Sequence, residues 1–307
     1  MSRVIRIGTR DSQLAVWQAT LVRAHLMSIG HQAALVFIKS EGDIDLQTPL
    51  YEMGVQGVFT RSLDIALLNG SIDVAVHSMK DVPTQLPDGI IQAAVLPRAS
   101  YKDILVYKGS LDFMNDPHSV AVIATSSIRR KAQWLNRFQH HEIVNFRGNV
   151  NTRLQKAADH SWNGAIFAAA GVERIGVRPG NSIDLDWMLP APAQGAILVV
   201  SRLEDTEVLS ALASMHDEHT SLCANQERSF LRSLMGGCAT PISALAEVIE
   251  EQVHFRGSIL SVNGKEKAEV ELWVPIHEAN HLGENAAIKI QENGGKSIAM
   301  QIRNAGK

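Results

Sequence analysis

Hydrophobic and polar positions alternate over residues 4–7, break at the polar turn Gly8-Thr9-Arg10-Asp11-Ser12, and recur at helical spacing through Leu14, Trp17, Leu21 and Val22. A strand, a turn and a helix are predicted, with an arginine at the turn. A second strand is expected near residues 33–38 and a helix over 58–68, closed by Gly70, with a long polar loop between them. Residues 72–77 read as a strand that ends in Ser78-Met79-Lys80-Asp81-Val82-Pro83.

From Tyr101 the alternation restarts. Strands are expected near residues 120–124, 142–146 and 165–168, with helices near 128–138 and 150–158. Strands separated by helices of this length indicate parallel βαβ units, whose ligands gather beyond the carboxyl ends of the strands. Pro190-Ala191-Pro192-Ala193-Gln194-Gly195-Ala196 is a stiff connector, and the apolar run 197–200 is expected to return as a strand to the first domain, making a double crossing and a hinge. A helix near 221–234, the turn-rich loop Gly236-Gly237-Cys238-Ala239-Thr240-Pro241, alternating strands to about 274 and a helix near 278–291 complete the chain. The expected architecture is α/β: one lobe from 1–97 plus 197–215, a second from 98–196, and a smaller C-terminal α+β domain from 216–307.

Composition changes this picture little. The 307 residues are 45% hydrophobic and 20% charged, ordinary for a globular protein without repeats. Lys and Arg number 29 against 32 Asp and Glu, a formal charge of -3, so clustered arginines are a local feature and nucleic acid is not the expected partner. The first residues lack an apolar signal core, and no apolar run reaches the ~18 residues of a membrane span. A cytoplasmic protein without a membrane partner is expected, with Cys223 and Cys238 as reduced thiols.

Four arginines occupy two short loops, Thr125-Ser126-Ser127-Ile128-Arg129-Arg130 and Arg147-Gly148-Asn149-Val150-Asn151-Thr152-Arg153, each between an apolar run and a helical run. A strand feeding a helix start directs free N–H groups at one spot, and a guanidinium adds a planar fork suited to carboxylate or phosphate. Arg129 and Arg130 fall in the first turn of a helix capped by Ser126 or Ser127, the end where cations are disfavoured, which points to a bound anion; the bland alternative is pairing with surface carboxylates. Arg10 makes a third such strand end and Arg174 a fourth.

Beside several arginines, Asp81 should stay ionised and could stabilise a cationic intermediate, whereas alone Lys80-Asp81 is a solvated turn pair. Cys238 follows two glycines that permit close backbone approach, and Cys223 reads as helix packing; the residues leave open whether Cys238 is filler or reactive. Twelve histidines include no metal-binding motif, so solvent-facing histidines and no metal are expected, and the usual nucleotide cradles are absent.

Together these segments, with Gln194-Gly195-Ala196, resemble the porphobilinogen deaminase (hydroxymethylbilane synthase) family, six motifs in order over nearly the whole chain. The resemblance implies a monomer with two periplasmic-binding-protein-like βαβ lobes and a dipyrromethane cofactor held on a cysteine as a thioether; Cys238 matches that cysteine. It implies a transferase that joins four porphobilinogen molecules head to tail, releasing ammonia at each addition, into hydroxymethylbilane. Asp81 matches the catalytic carboxylate. Cofactor contacts are implied for Cys238, Lys80, Asp81, Ser126, Ser127, Arg129, Arg130, Arg147 and Gly148, and substrate contacts for Arg10, Ser12, Arg129, Arg153, Arg174 and Gln194. Pyrroles carrying acetate and propionate need many guanidinium forks, and loss of ammonia leaves a cation that Asp81 would stabilise. On this reading Arg129→Ala or Arg130→Ala should impair primer assembly or chain growth more than folding.

Two departures stand out. Glu52 and Gln56 lie where many members carry lysines, and Ala193 where a glycine commonly precedes Gln-Gly-Ala, a change expected to stiffen the hinge. A carboxylate-binding sensor without chemistry, or a transferase acting on a phosphorylated metabolite, would use the same arginines.

Overall fold

A computed structural model describes residues 3–39, 60–116, 118–234 and 240–305. In chain order the elements begin with β1 (Ile5–Thr9), α1 (Gln13–Ser28), β2 (Ala33–Phe37), α2 (Arg61–Leu68), β3 (Val74–Ser78), β4 (Ile90–Val95), β5 (Asp103–Tyr107), β6 (Val122–Ala124) and α3 (Ile128–Arg137). They continue with β7 (Glu142–Val144), α4 (Val150–Asp159), β8 (Gly164–Ala168), α5 (Ala169–Glu173), β9 (Ser182–Asp184), β10 (Ile197–Arg202), α6 (Thr206–Leu212) and α7 (Glu218–Ser233). The hairpins β11 (Ile242–Ile249), β12 (Gln252–Leu260) and β13 (Lys267–Pro275) precede α8 (Leu282–Ile290) and α9 (Lys296–Ala305). Of the described residues, 3–39, 60–99 and 195–221 form one compact unit, and 100–194 with 222–305 the other.

The first unit is a five-stranded sheet in the order β2-β1-β3-β10-β4. β1 pairs parallel with β2 and β3, but β10 runs antiparallel between β3 and β4. The run 197–200 thus joins the sheet of the first unit, and it does so antiparallel, beside the parallel β1-β2 and β1-β3 pairs that βαβ units give. A βαβ crossover forces parallel pairing, and β10 enters from the other unit without one. One face of the sheet buries Ile5, Ile7, Val74, Val76 and Val199 under α1 and α6. α1 starts where the Ser12 hydroxyl accepts from Ala15 N at 3.4 Å. Its buried stripe is Gln18, Ala19, Val22 and Leu26; of the predicted Leu14, Trp17, Leu21 and Val22, Val22 lies on it, whereas Trp17 and Leu21 are 38% and 41% exposed. The buried stripe includes the polar Gln18, whose amide bonds Ser78, while the apolar Trp17 and Leu21 stay outside it, a placement that apolar periodicity does not give.

At the amino end of the same sheet, Asp73 is buried and binds Arg6 through Nε at 2.9 Å, Nη2 at 2.8 Å and the backbone N at 2.9 Å, and Arg202 Nη2 at 3.0 Å. Burial alone would raise its carboxyl, but Arg6 and Arg202 prevail and lower it to about 2. A depressed folded value adds stability above the unfolded value of ~3.9 and loses it as pH falls toward the folded one, an effect of about 2 kcal/mol. In urea titrations, the gap between the parent and Asp73→Asn should therefore be present at pH 6 and shrink toward zero by pH 2.

The second unit holds two layers of structure. Its larger sheet has the order β7-β6-β8-β5-β9, with β6 parallel to β7 and β8, and β5 antiparallel to β8 and β9. Successive side chains of β5 alternate faces: Leu105 packs with Ile123, Trp134 and Phe138, whereas Ile104 and Val106 pack with Phe146, Phe167 and Val172. The C-terminal segment is an antiparallel sheet, β11-β12-β13, covered on one face by helices around Phe230, Phe255, Leu282 and Ile290. The predicted last helix ends at Ile290, and after a kink at Asn293 and Gly294 a further helix, α9, follows that the sequence reading did not foresee. The α/β class, two sheet-and-helix lobes and a smaller C-terminal domain, is as expected.

The connector carries local strain. Ala193 has φ 62°, in the left-handed region, and its N–H donates to the buried Glu227 Oε2 at 2.6 Å. Glu227 Oε1 also accepts from Ala246 N at 2.8 Å. A β-branched side chain is strongly disfavoured at such a φ, so Ala193→Val should cost about 1–3 kcal/mol, while Ala193→Gly should be tolerated within ~0.5 kcal/mol. Thermal unfolding of the two variants checks the contrast.

Candidate active site

In the first unit, β1 and β3 are neighbours and parallel, so their following turns emerge at one carboxyl edge of the sheet. Arg10 follows β1, and Lys80 and Asp81 close a 3-10 turn, Met79–Asp81, after β3. That turn is pinned by the buried Met79, whose N–H donates to Ala196 O at 3.0 Å, leaving Lys80 half-buried and Asp81 exposed. Gln18 Nε2 donates to Ser78 Oγ at 3.0 Å, joining α1 to the end of β3. Ser12 sits at the same edge as the cap of α1.

His77 lies just before this turn. It is buried, and burial together with the charge of Arg10 lowers it to about 4, so it is neutral near pH 7. Its Nε2 has no hydrogen-bond partner among the described residues. His77 and His141 correct the expectation of solvent-facing histidines. Among the described residues, no group of three or more potential ligands is arranged to hold a metal.

In the second unit the arginine loops form as predicted. Ser127 caps α3, accepting from Arg130 N at 3.4 Å, and Asn149 caps α4, accepting from Thr152 N at 2.9 Å. Ser126 Oγ donates to Phe146 O and accepts from Phe146 N, tying the loop after β6 to the loop after β7. Gly148 has φ 121°, and a Cβ there would lie 2.7 Å from Thr152 Cγ2, so this turn needs glycine. Arg147 is buried, and Arg153 lies over the Phe146 ring, 5.5 Å from its centroid. Arg174, at the end of α5, is half-buried and drawn down to about 10 by burial, still a cation.

The residue missed by the sequence reading is Asp103. It opens β5, is fully buried, and accepts from Arg129 Nη2 at 2.7 Å and from Arg130 Nη2 and Nε at 2.7 and 3.1 Å. Gln194 Nε2 donates to the same carboxylate at 2.9 Å and to Tyr101 O at 2.7 Å. Burial would raise Asp103, but the two guanidiniums outweigh it and hold the carboxyl well below the usual range. The misplaced cations at the start of α3 thus have an internal anion rather than surface carboxylates. Two guanidiniums and one carboxylate leave one net positive charge, and Arg129 Nε is buried with no hydrogen-bond partner among the described residues. A lone acidic residue at the start of an apolar run gives no local signal of partners 26 and 27 positions away.

A family model described as porphobilinogen deaminase, dipyromethane cofactor binding domain, matches residues 5–210, and one for the porphobilinogen deaminase C-terminal domain matches 221–292. The chain belongs to the porphobilinogen deaminase family. It is 37% identical to a porphobilinogen deaminase of Pelobacter propionicus over 98% of this chain and 97% of the relative. The value is 39% for one from Syntrophotalea carbinolica, over 97% and 95%, and 40% for one from Paracoccus denitrificans, over 94% and 93%. A solved ancestral cationic amino acid solute binding protein overlaps 75% of the chain, and 90% of its own length, at a TM-score of 0.43 and 15% identity.

Every cationic strand end described above falls within the segment matched by the cofactor-binding domain of the family. Within each unit taken by itself, such cationic donors suit carboxylates, and dipyrromethane carries several. Cys223 packs in the C-terminal core beside Phe230 and Leu234. Cys238, Glu52 and Gln56 lie outside the described residues.

Proposed function

We infer that this chain joins four porphobilinogen molecules head to tail into hydroxymethylbilane, with the charged strand ends of each unit holding the carboxylates of the growing chain. The observation that carries the reading is the placement of Arg10, Lys80, Arg147 and Arg153 at strand ends and helix starts, with Arg174 closing α5 instead of the expected strand end, all within the matched cofactor-binding segment. Arg129 and Arg130 belong to the same set through the net positive charge that remains after pairing with Asp103. Ser126, Ser127 and Gly148 shape the loops, Ser12 caps α1 beside Arg10, and Gln194 acts by orienting Asp103.

Dipyrromethane, bound as a thioether at Cys238, supplies a tethered primer to which substrate units are added. The protein's own contribution is binding and charge stabilisation. Forked donors orient the acetate and propionate groups, and Asp81, exposed on a pinned turn, faces the positive charge left on the substrate as ammonia departs. The reading includes a monomer working in the cytoplasm on a small-molecule substrate, without nucleic acid or membrane. No described helix is long and apolar enough to cross a membrane, and the formal charge of -3 argues against a polyanion partner.

The intact mass of the denatured protein tests the core of this reading. An excess equal to two linked pyrroles on the Cys238 peptide is expected, and Cys238→Ala should lack it. An adduct retained by Cys238→Ala would move the anchor to Cys223. A parent protein of unmodified mass that gains none on incubation with porphobilinogen would sink the reading and favour a carboxylate-binding module.

A further inference from the structure

Gln133 lies one turn after Arg129 on α3 and is buried. Its amide makes a two-bond clamp on the backbone of one residue: Nε2 donates to Leu189 O at 2.9 Å and Oε1 accepts from Leu189 N at 2.9 Å. Nε2 also donates to Ser243 Oγ on β11 at 3.0 Å. The opposite amide orientation would set oxygen against oxygen at Leu189, so the clamp fixes which way the side chain points.

The Leu189 carbonyl has a second task. It accepts from Arg129 Nη1 at 2.7 Å, while Arg129 Nη2 is held by Asp103. Arg129 is therefore anchored at both of its terminal nitrogens, and one of the two acceptors is a carbonyl whose position Gln133 sets. The C-terminal sheet also grips α3 at the β12–β13 turn. A Cβ on Gly264 would lie 2.5 Å from Asn136 N and 2.6 Å from Ala132 O, and Asn136 Nδ2 donates to Gly264 O at 2.7 Å. The helix that carries the arginine pair is thus held from the C-terminal sheet through β11 and through this turn.

We propose that Gln133 is a positioning residue for the reaction: through Leu189 and Ser243 it registers the Arg129 guanidinium against β11. This rests on the reading above, in which Arg129 receives a carboxylate of the pyrrole chain. A guanidinium released from one anchor keeps its charge but loses its direction, and misplacement on the ångström scale costs rate steeply.

The experiment follows cofactor loading. Apoprotein is incubated with porphobilinogen and the two-pyrrole mass is read against time, with thermal midpoints measured in parallel. Gln133→Met keeps volume and helix propensity while removing all three bonds, and should load on the order of tenfold more slowly. Ser243→Ala removes only the tie to β11 and should show a smaller effect; added to Gln133→Met it should slow loading no further. Val253→Ala, in the C-terminal core, provides a variant of lowered midpoint without touching the clamp's hydrogen bonds. Loading at the parent rate in Gln133→Met, or slowed only as much as in Val253→Ala at an equal loss of midpoint, overturns the proposal. Should Gln133→Met fail to fold, Ser243→Ala loading at the parent rate overturns it. A parent protein that takes up no pyrrole instead defeats the functional reading on which the proposal stands.

Discussion

Asp81→Asn is expected to fold as the parent does, to carry its cofactor, and to lose on the order of 10²-fold or more in turnover. The stability part follows from exposure: Asp81 stands on the solvent side of its turn, and the turn is held by Met79, so the change removes no buried contact. The kinetic part follows from charge. An amide keeps the shape of the carboxylate but cannot offset the positive charge that develops as ammonia leaves, so the loss should appear in turnover at saturating porphobilinogen. Colorimetric assay of the variant, with cofactor content verified by mass, decides the matter; turnover within a few-fold of the parent would remove Asp81 from the chemistry.

Asp103→Ala is expected to be the most damaging single change to folding, costing about 3–5 kcal/mol. It would leave Arg129 and Arg130 buried against one another with no carboxylate between them, and would strip Gln194 of an acceptor. Urea unfolding followed by circular dichroism measures the cost, and a loss below ~1 kcal/mol would show that water or rearrangement replaces the ion pairs. The same geometry revises the expectation for Arg129→Ala and Arg130→Ala. Each removes a partner of a buried carboxylate, so folding should suffer together with primer assembly, and a kinetic loss in these variants cannot be assigned to ligand contacts until stability has been measured.

Much of the architecture was legible because local signals agreed. The turn after β1, the cap at Ser127 and the return of β10 follow from alternation, capping residues and the proline-rich connector. Strand direction was not legible, since an alternating run reads alike in either direction: β10 is antiparallel to β3, and β5, antiparallel to β8, was not among the expected strands. The arginine-bearing loops were found by position alone. Their neutralising partner was hidden, because Asp103 meets Gln194 across 91 positions of chain and no short pattern links them. Gln133 was invisible for a related reason: its partners are main-chain atoms and a serine hydroxyl, which leave no mark on composition or charge.

The place of β10 also bears on the order in which the chain acquires structure. Residues 5–95 supply four of the five strands of the first sheet, but β10 lies between β3 and β4, so the second edge of β3 and the joining of β4 to the sheet wait until residue 202 has been made. The larger sheet of the second unit is drawn entirely from residues 103–184, a continuous stretch. Domains generally assemble as units during synthesis, and contacts distant in sequence form slowly. The first sheet to begin is therefore completed only after the larger sheet of the second unit has been made, and until then β3 and β4 present unpaired edges that a chaperone or another nascent chain can meet.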